Sequence, residues 1–243
     1  IIGVMGSKPI HLMSAADREK TPKTKDYFID TGLTKERLEK IICVGNPITR
    51  ERKMIEMGDC LNCKSLDNRV SVFILIEMFK EMKETPPYDV YGVFTVQEEV
   101  GLRGANASSM QINPDFGFGL DTTIAWDTPG STKQEQVSVL GDGACIKVMD
   151  SSTVCDYRMV AYMKEVAKKN KIKTQLEILP AGGTDTAVIQ RMNPGGSIAG
   201  AVSIPTRHIH QVIEMVHKED VRGAIDLLRH SVENLNTYDW SFR

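Results

Sequence analysis

Two regimes of apolar and polar patterning divide the chain. Residues 1–58 hold short apolar runs, "IIGVMG", "YFID" and "IICVG", separated by polar loops rich in Pro and Lys. Such runs predict a small β-rich domain, or a piece of one. Within it, "SAADREK" predicts a short helix. "TKERLEKII" predicts another, with Thr34 as N-cap and Leu38, Ile41 and Ile42 on one face.

From 59 onward the pattern changes to an alternation of strands and helices. "DNRVSVFILIEMFKEMKE" is long and strongly apolar, as a buried helix would be. "YDVYGVFTV", "DFGFGLD", "IAWD", "TQLEIL" and "SIAGAVSIP" read as strands, the last ended by Pro205. "STVCDYRMVAYMKEVAKKNKI", "TDTAVIQRM" and "HKEDVRGAIDLLRHSVENL" read as helices, the final one with Ala224, Leu227 and Leu228 inward. This alternation predicts an α/β fold, a sheet with helices on both faces. Internal repeats and low-complexity tracts are absent.

Composition narrows the field. The 243 residues suffice for one large or two modest domains. Hydrophobic residues make up 41% and charged residues 26%, as in an ordinary globular chain. A net charge of -2 without a basic run gives nucleic-acid binding no electrostatic support. No apolar stretch reaches bilayer-spanning length, and no signal peptide is evident, so no membrane partner is expected. Five irregularly spaced cysteines fit a reducing, cytoplasmic setting better than a disulfide scaffold. Cys60 and Cys63 form a lone C-x-x-C without the second pair of a zinc ribbon, and read as structural cysteines.

Chemistry-bearing residues gather just past the ends of the predicted strands, where α/β sheets place their sites. They are Asp67 in "SLDNRV", Glu98 and Glu99 in "VQEEVG", Asp121 in "FGLDTT", and His208 and His210 in "IPTRHIH". Each has a plain reading: Asp67 as a helix cap, Asp121 as a turn residue, the others as solvated loop groups. Together they form a set of carboxylates and imidazoles that suits zinc, cobalt or manganese. Several carboxylates repel one another unless a cation neutralises them. Two metals about 3.5–4 Å apart, sharing one carboxylate, use this many acids and leave one glutamate free as a base. Neighbouring residues of a regular strand point to opposite faces. Glu98 and Glu99 therefore share a site only if the backbone leaves strand geometry, which Gly101 and Gly104 permit. A glycosidase needs two carboxyls flanking a bond about 5–9.5 Å apart, and adjacent glutamates make a poor pair for that.

In order and spacing, "SLDNRV", "TVQEEVGLRGA", "GLDTTIAWDTPG", "GGTDTAVIQ" and "IPTRHIHQVIE" resemble the M42 family of dinuclear metallo-aminopeptidases, which includes the TET and glutamyl aminopeptidases. "GSKPIHLMSAADREK" and "DYFIDTG" resemble that family's inserted β-domain. The resemblance implies a zinc-peptidase-like mixed sheet flanked by helices, with 1–58 as part of an inserted domain and 59–243 as the catalytic domain. It implies that Asp67 bridges two divalent metal ions, zinc or cobalt, and that the Asp67–Asn68 peptide bond is cis. It assigns Glu99 and His210 to one metal, Asp121 to the other, and Glu98 as general base. His208 falls where the family commonly has an aromatic residue and receives no role. "GGTDT" resembles a glycine-rich loop beside the substrate pocket.

The implied function is hydrolysis of amino-terminal residues from short peptides by a metal-activated water, in a cytoplasmic homo-oligomer. Two other readings stay open: a catalytically silent binding or assembly subunit, and a deacylase or carboxypeptidase on the same metal centre. Family members carry a further His-x-Asp element upstream of the inserted domain. This chain begins "IIGVMG", so a fragment or an omitted N-terminal region is expected, with the second metal left short of a ligand.

Overall fold

The computed structural model describes residues 1–242 as two compact units, Ile1–Thr49 and the residues from Arg50 on. In the first, strands β1 (Val4–Ser7) and β2 (Tyr27–Asp30) pair antiparallel, Val4 opposite Asp30. Helix α1 (Ala15–Arg18) starts at Ser14, whose hydroxyl oxygen accepts the Asp17 N–H at 3.2 Å. Helix α2 (Lys35–Leu38) follows Thr34, but that side chain makes no cap bond, and Ile41 and Ile42 fall beyond the helix. No residue of this unit is fully buried.

The second unit is built on a seven-stranded mixed sheet. Strands β3 (Ile55–Met57) and β4 (Cys60–Cys63) form a hairpin across the 58/59 boundary read from the sequence. Along the sheet, β4 is followed by β9 (Glu214–His217), β8 (Ile198–Arg207), β6 (Ala144–Met149) and β7 (Thr174–Ile178). Strand β5 (Phe116–Ile124) runs parallel to β8 on its other edge, with Asp121 opposite Ser203. Helices α3 (Leu66–Glu81), α5 (Tyr157–Asn170) and α7 (Lys218–Glu233) share one core with the sheet, where Ile74, Met163 and Leu227 meet Ile146, Val202 and Ile204. Helix α6 (Thr186–Arg191), with α4 (Arg103–Ile112) packed on it, covers the opposite face. Glycines set these approaches. Ile189 and Thr186 of α6 crowd Gly117 and Gly119, whereas Met159 and Met163 of α5 crowd Gly200, which pairs with the oppositely directed Phe118. The expected α/β sheet with helices on both faces is therefore present.

Several elements differ from the sequence pattern. Only the Val70, Ile74 and Met78 face of α3 is buried, and Val72, Phe73, Ile76 and Phe79 are exposed. "YDVYGVFTV" (88–96) forms no strand, because no strand of the sheet lies alongside to complete its hydrogen bonds. "DFGFGLD" and the start of "IAWD" belong to one continuous strand, β5. Pro205 sits inside β8 instead of ending it. On that edge β8 pairs with β6 at 202–203 and with β9 at 206–207, so the missing N–H falls in the gap. Strands β3, β6 and β9 were not evident in the pattern. Among the described residues, no helix is long and apolar enough to cross a membrane.

Candidate metal centre

Asp67, Glu98, Glu99 and His210 stand where the backbone leaves regular structure, whereas Asp121, expected just past a strand end, lies inside β5 in register with Ser203. After β4, Ser65 takes a left-handed conformation (φ 55°), and Asp67 and Asn68 depart from helical angles at the mouth of α3. The Asp67–Asn68 peptide bond is cis. Gln97 (φ 58°) turns the chain into a 3₁₀ turn, Glu98–Val100, closed by Gly101 at φ 117°. That turn takes Glu98 and Glu99 out of strand geometry, as their sharing of a site requires. Gly104 is needed for close approach, since a Cβ there would lie 2.5 Å from the Val96 nitrogen. Between β8 and β9, His208 and His210 both have positive φ, 60° and 59°. A two-bond pairing of Arg207 with Asp127, at 2.6 and 2.9 Å, anchors the start of that loop.

These turns bring three residues together. His210 Nε2 lies 3.0 Å from Asp67 Oδ2 and 3.5 Å from Glu99 Oε2. One ligand atom from each of Asp67, Glu99 and His210 lies within 4.8 Å of the others. The Asp67 carboxylate is nearly buried, while Glu99 and His210 are open to solvent. Asp121 stands outside this trio but is tied to it. Its Oδ1 accepts from Asn68 Nδ2 at 2.7 Å and from the Thr122 N–H at 2.8 Å. Asn68 Nδ2 also donates to the Leu120 carbonyl at 3.1 Å, and Asn68 Oδ1 is buried with no hydrogen-bond partner.

Burial and mutual repulsion raise several of these acids. Burial pushes Asp121 well above the usual carboxylate range, and the charges of Glu98 and Asp67 add to the shift. Asp67 is raised by burial and then by Glu99, against the opposing pull of His210. Glu98 rises to about 7 through burial, with Asp185, Glu99 and Asp67 as further causes. Acids raised by burial and by one another are groups that a cation would restore to their ionised form. The donor set, two carboxylates and an imidazole at ligand spacing, fits a divalent metal ion.

Four residues at or near the site received no role in the sequence reading. Asn68 bridges the cis bond to Asp121. Asp185, in "GGTDT", is held by Thr95 Oγ1 at 2.6 Å and leaves its Oδ1 buried without a partner. Glu214, the last residue of "IPTRHIHQVIE", is buried and accepts the Asp67 N–H at 2.8 Å and the His210 N–H at 3.3 Å. His208, also without an assigned role, is exposed and outside the three-residue cluster.

The chain as a whole is similar to known proteins. The family described as M42 glutamyl aminopeptidase matches residues 1–227. A glutamyl aminopeptidase of Lactococcus lactis is 30% identical, over 96% of this chain and 66% of its own length. A TET aminopeptidase from a marine-sediment thaumarchaeon superposes with a TM-score of 0.90 at 34% identity, covering 96% of this chain and 67% of that one. An aminopeptidase of Desulfurococcus kamchatkensis gives 0.87 at 35% identity, covering 96% and 64%. The chain thus spans about two thirds of the length of these relatives.

Proposed function

The chain belongs to the M42 glutamyl aminopeptidase family, and from that premise we propose that it forms the catalytic centre of a metal-dependent aminopeptidase acting on short peptides. The observation that carries the reading is the convergence of Asp67, Glu99 and His210 beside Glu98. In this reading Glu99 and His210 would hold one divalent ion, Asp121 would hold a second, and Asp67 would serve both. Zinc or cobalt suits this mixture of carboxylate and imidazole. Such ions, when bound, polarise a scissile carbonyl and acidify an attacking water.

The rest of the chemistry falls to the chain's own side chains. Glu98 is half-buried and not in the ligand trio, so its carboxylate is left to accept the attacking water's proton. It then returns that proton to the departing amine. Its pKa of about 7 reflects burial among other acids, and nearby cations would pull it down toward a fully ionised base. The carboxylates of Glu99 and Asp185 flank this region and give a substrate's ammonium group an anionic environment. Asn68 keeps Asp121 aimed by its 2.7 Å hydrogen bond.

Two further features are part of the proposal. The TET1 peptidase of Pyrococcus horikoshii assembles into a tetrahedron or a large octahedral shell, which supports a homo-oligomer here. Five unpaired cysteines among the described residues support a reducing compartment, the cytoplasm.

The test is hydrolysis of one peptide in three forms: free, amino-terminally acetylated, and carboxy-terminally amidated. The free and amidated peptides should lose their first residue in the presence of zinc or cobalt, and the acetylated one should not. Release from the carboxyl end, or removal of the acetyl group, would assign the centre to a carboxypeptidase or deacylase.

A further inference from the structure

Glu214 makes no contact that the metal reading requires, yet it is one of the few fully buried carboxylates of the sheet, 4% exposed. It opens β9, where three chain segments meet. In the sheet register it stands opposite Cys63, the last residue of β4, from which the chain runs directly to Asp67. It also closes the loop that leaves β8 after Arg207 and carries His210. Asn62 Nδ2 donates to its main-chain carbonyl at 3.0 Å, and Arg52 Nη2 holds Asn62 Oδ1 at 3.2 Å, so its backbone is fixed. From this fixed point its two carboxylate oxygens divide their work. Oε2 takes the N–H of Asp67 at 2.8 Å, and Oε1 takes the N–H of His210 at 3.3 Å.

We infer that Glu214 is a positioning residue which, by binding the backbone amides of Asp67 and His210 at once, holds their side chains at metal-ligand spacing. The inference rests on the proposed metal centre. Asp67 lies in the distorted first turn of α3 and His210 in the loop between β8 and β9, and neither backbone has regular geometry at these residues. One carboxylate spanning both amides converts two independent positions into a single one. An ionised carboxylate suits this task, because it is acceptor-only and can serve two donors. A glutamine is nearly isosteric but turns an N–H group toward one of the two amides, so one bond is lost and a donor is left facing a donor.

Asp220 gives the matched control. It is fully buried and binds the N–H groups of Gly141 and Gly143 at 2.7 and 2.8 Å, the same clamp on a loop that carries no site residue. The experiment compares Glu214→Gln and Asp220→Asn with the parent chain by cobalt titration, followed through visible absorption, and by amide hydrogen exchange of the metal-free proteins. We expect Glu214→Gln to bind cobalt about 10–100-fold more weakly, the scale of losses when a ligand's supporting partner is removed. Exchange at the amides of Asp67 and His210 should speed up selectively. Asp220→Asn should lose thermal stability and keep the parent's cobalt affinity.

Parent-like cobalt affinity in Glu214→Gln, or an equal loss in both variants, would overturn the inference. Weaker cobalt binding with unchanged exchange at the two amides would also overturn it, by making Glu214 a ligand. Should Glu214→Gln not fold, Glu214→Asp keeps both acceptors but withdraws them by one methylene. It should show intermediate affinity, and parent-like behaviour in both measurements would refute the clamp. A parent chain that binds no cobalt would count against the metal centre itself, while the exchange arm still decides whether Glu214 holds the two segments.

Discussion

Two sets of acids gather around this one sheet, the first buried and the second partly open to solvent, and they differ in the positive charge they meet. In the first, Lys147 Nζ sits 3.0 Å from Asp150 and 3.2 Å from Glu177, with all three side chains essentially inaccessible. Thr123 donates to Glu177 at 2.7 Å, and the amides of Ser152 and Thr153 donate to Asp150. Burial opposes the Lys147 charge, but Glu177 and Asp150 outweigh it and hold its pKa above the ordinary value. In the second set, Asp67, Glu98, Glu99 and Asp121, the carboxylates of Asp67 and Glu99 approach the imidazole of His210 at 3.0 and 3.5 Å. Asp67, Glu98 and Asp121 are raised, each by burial first. The first set carries its own ammonium and is complete once the chain folds. The second, in the proposed reading, would be completed by a bound cation. The difference separates a structural ion cluster from a site.

The largest effect should come from the one acid of the second set that is assigned no metal. Glu98→Gln should lower turnover about 10²–10⁴-fold while leaving metal content intact, since the amide cannot take a proton. Equal loss of metal and turnover, by elemental analysis beside steady-state kinetics, would make Glu98 a ligand. Next, Lys147→Met should cost about 3–5 kcal/mol in chemical denaturation, because it strands two buried carboxylates. Its metal affinity should be unchanged in whatever fraction folds. A mild loss would mean that water already shares the first cluster.

The sets should also part in their response to pH. An acid raised in the folded state is protonated there while still ionised in the unfolded chain. Metal-free stability should therefore fall as pH rises from the ordinary glutamate value of 4.5 through about 7, the window set by Glu98. Added zinc should remove that slope, and at about 100 times its Kd should raise stability by about 2.7 kcal/mol. A slope unaffected by zinc would place its source elsewhere. A smaller contrast lies within the second set: Asp67→Ala should retain less metal than Asp121→Ala, because a bridging carboxylate serves both ions. The least effect is expected from His208→Ala, whose metal content should equal the parent's.

Much of this was legible in the sequence because it depends on local chemistry. Glu98, Glu99 and the glycines after them announce a break in strand geometry, and the "SLDNRV" and "IPTRHIH" stretches fall at strand ends where α/β sheets place ligands. What escaped the pattern depends on partners far along the chain. Strand β6 was missed because Lys147 interrupts its apolar run, and its buried charge makes sense only beside Glu177 on β7. "YDVYGVFTV" has strand composition, but a strand also needs a neighbour. Pro205 was read as a terminator because its tolerance depends on the gap where β6 gives way to β9. Glu214 gave no signal at all, since its work is done on an amide 147 residues away.

The central claim is that the second acidic set awaits a cation. Anomalous diffraction from crystals soaked in zinc tests it most directly. The account predicts a strong zinc peak about 2.0–2.2 Å from the nearest atoms of Asp67, Glu99 and His210. It predicts a second peak between Asp67 and Asp121, and none at Lys147. Crystals that take up zinc elsewhere and leave the space between Asp67, Glu99 and His210 without a peak would contradict it.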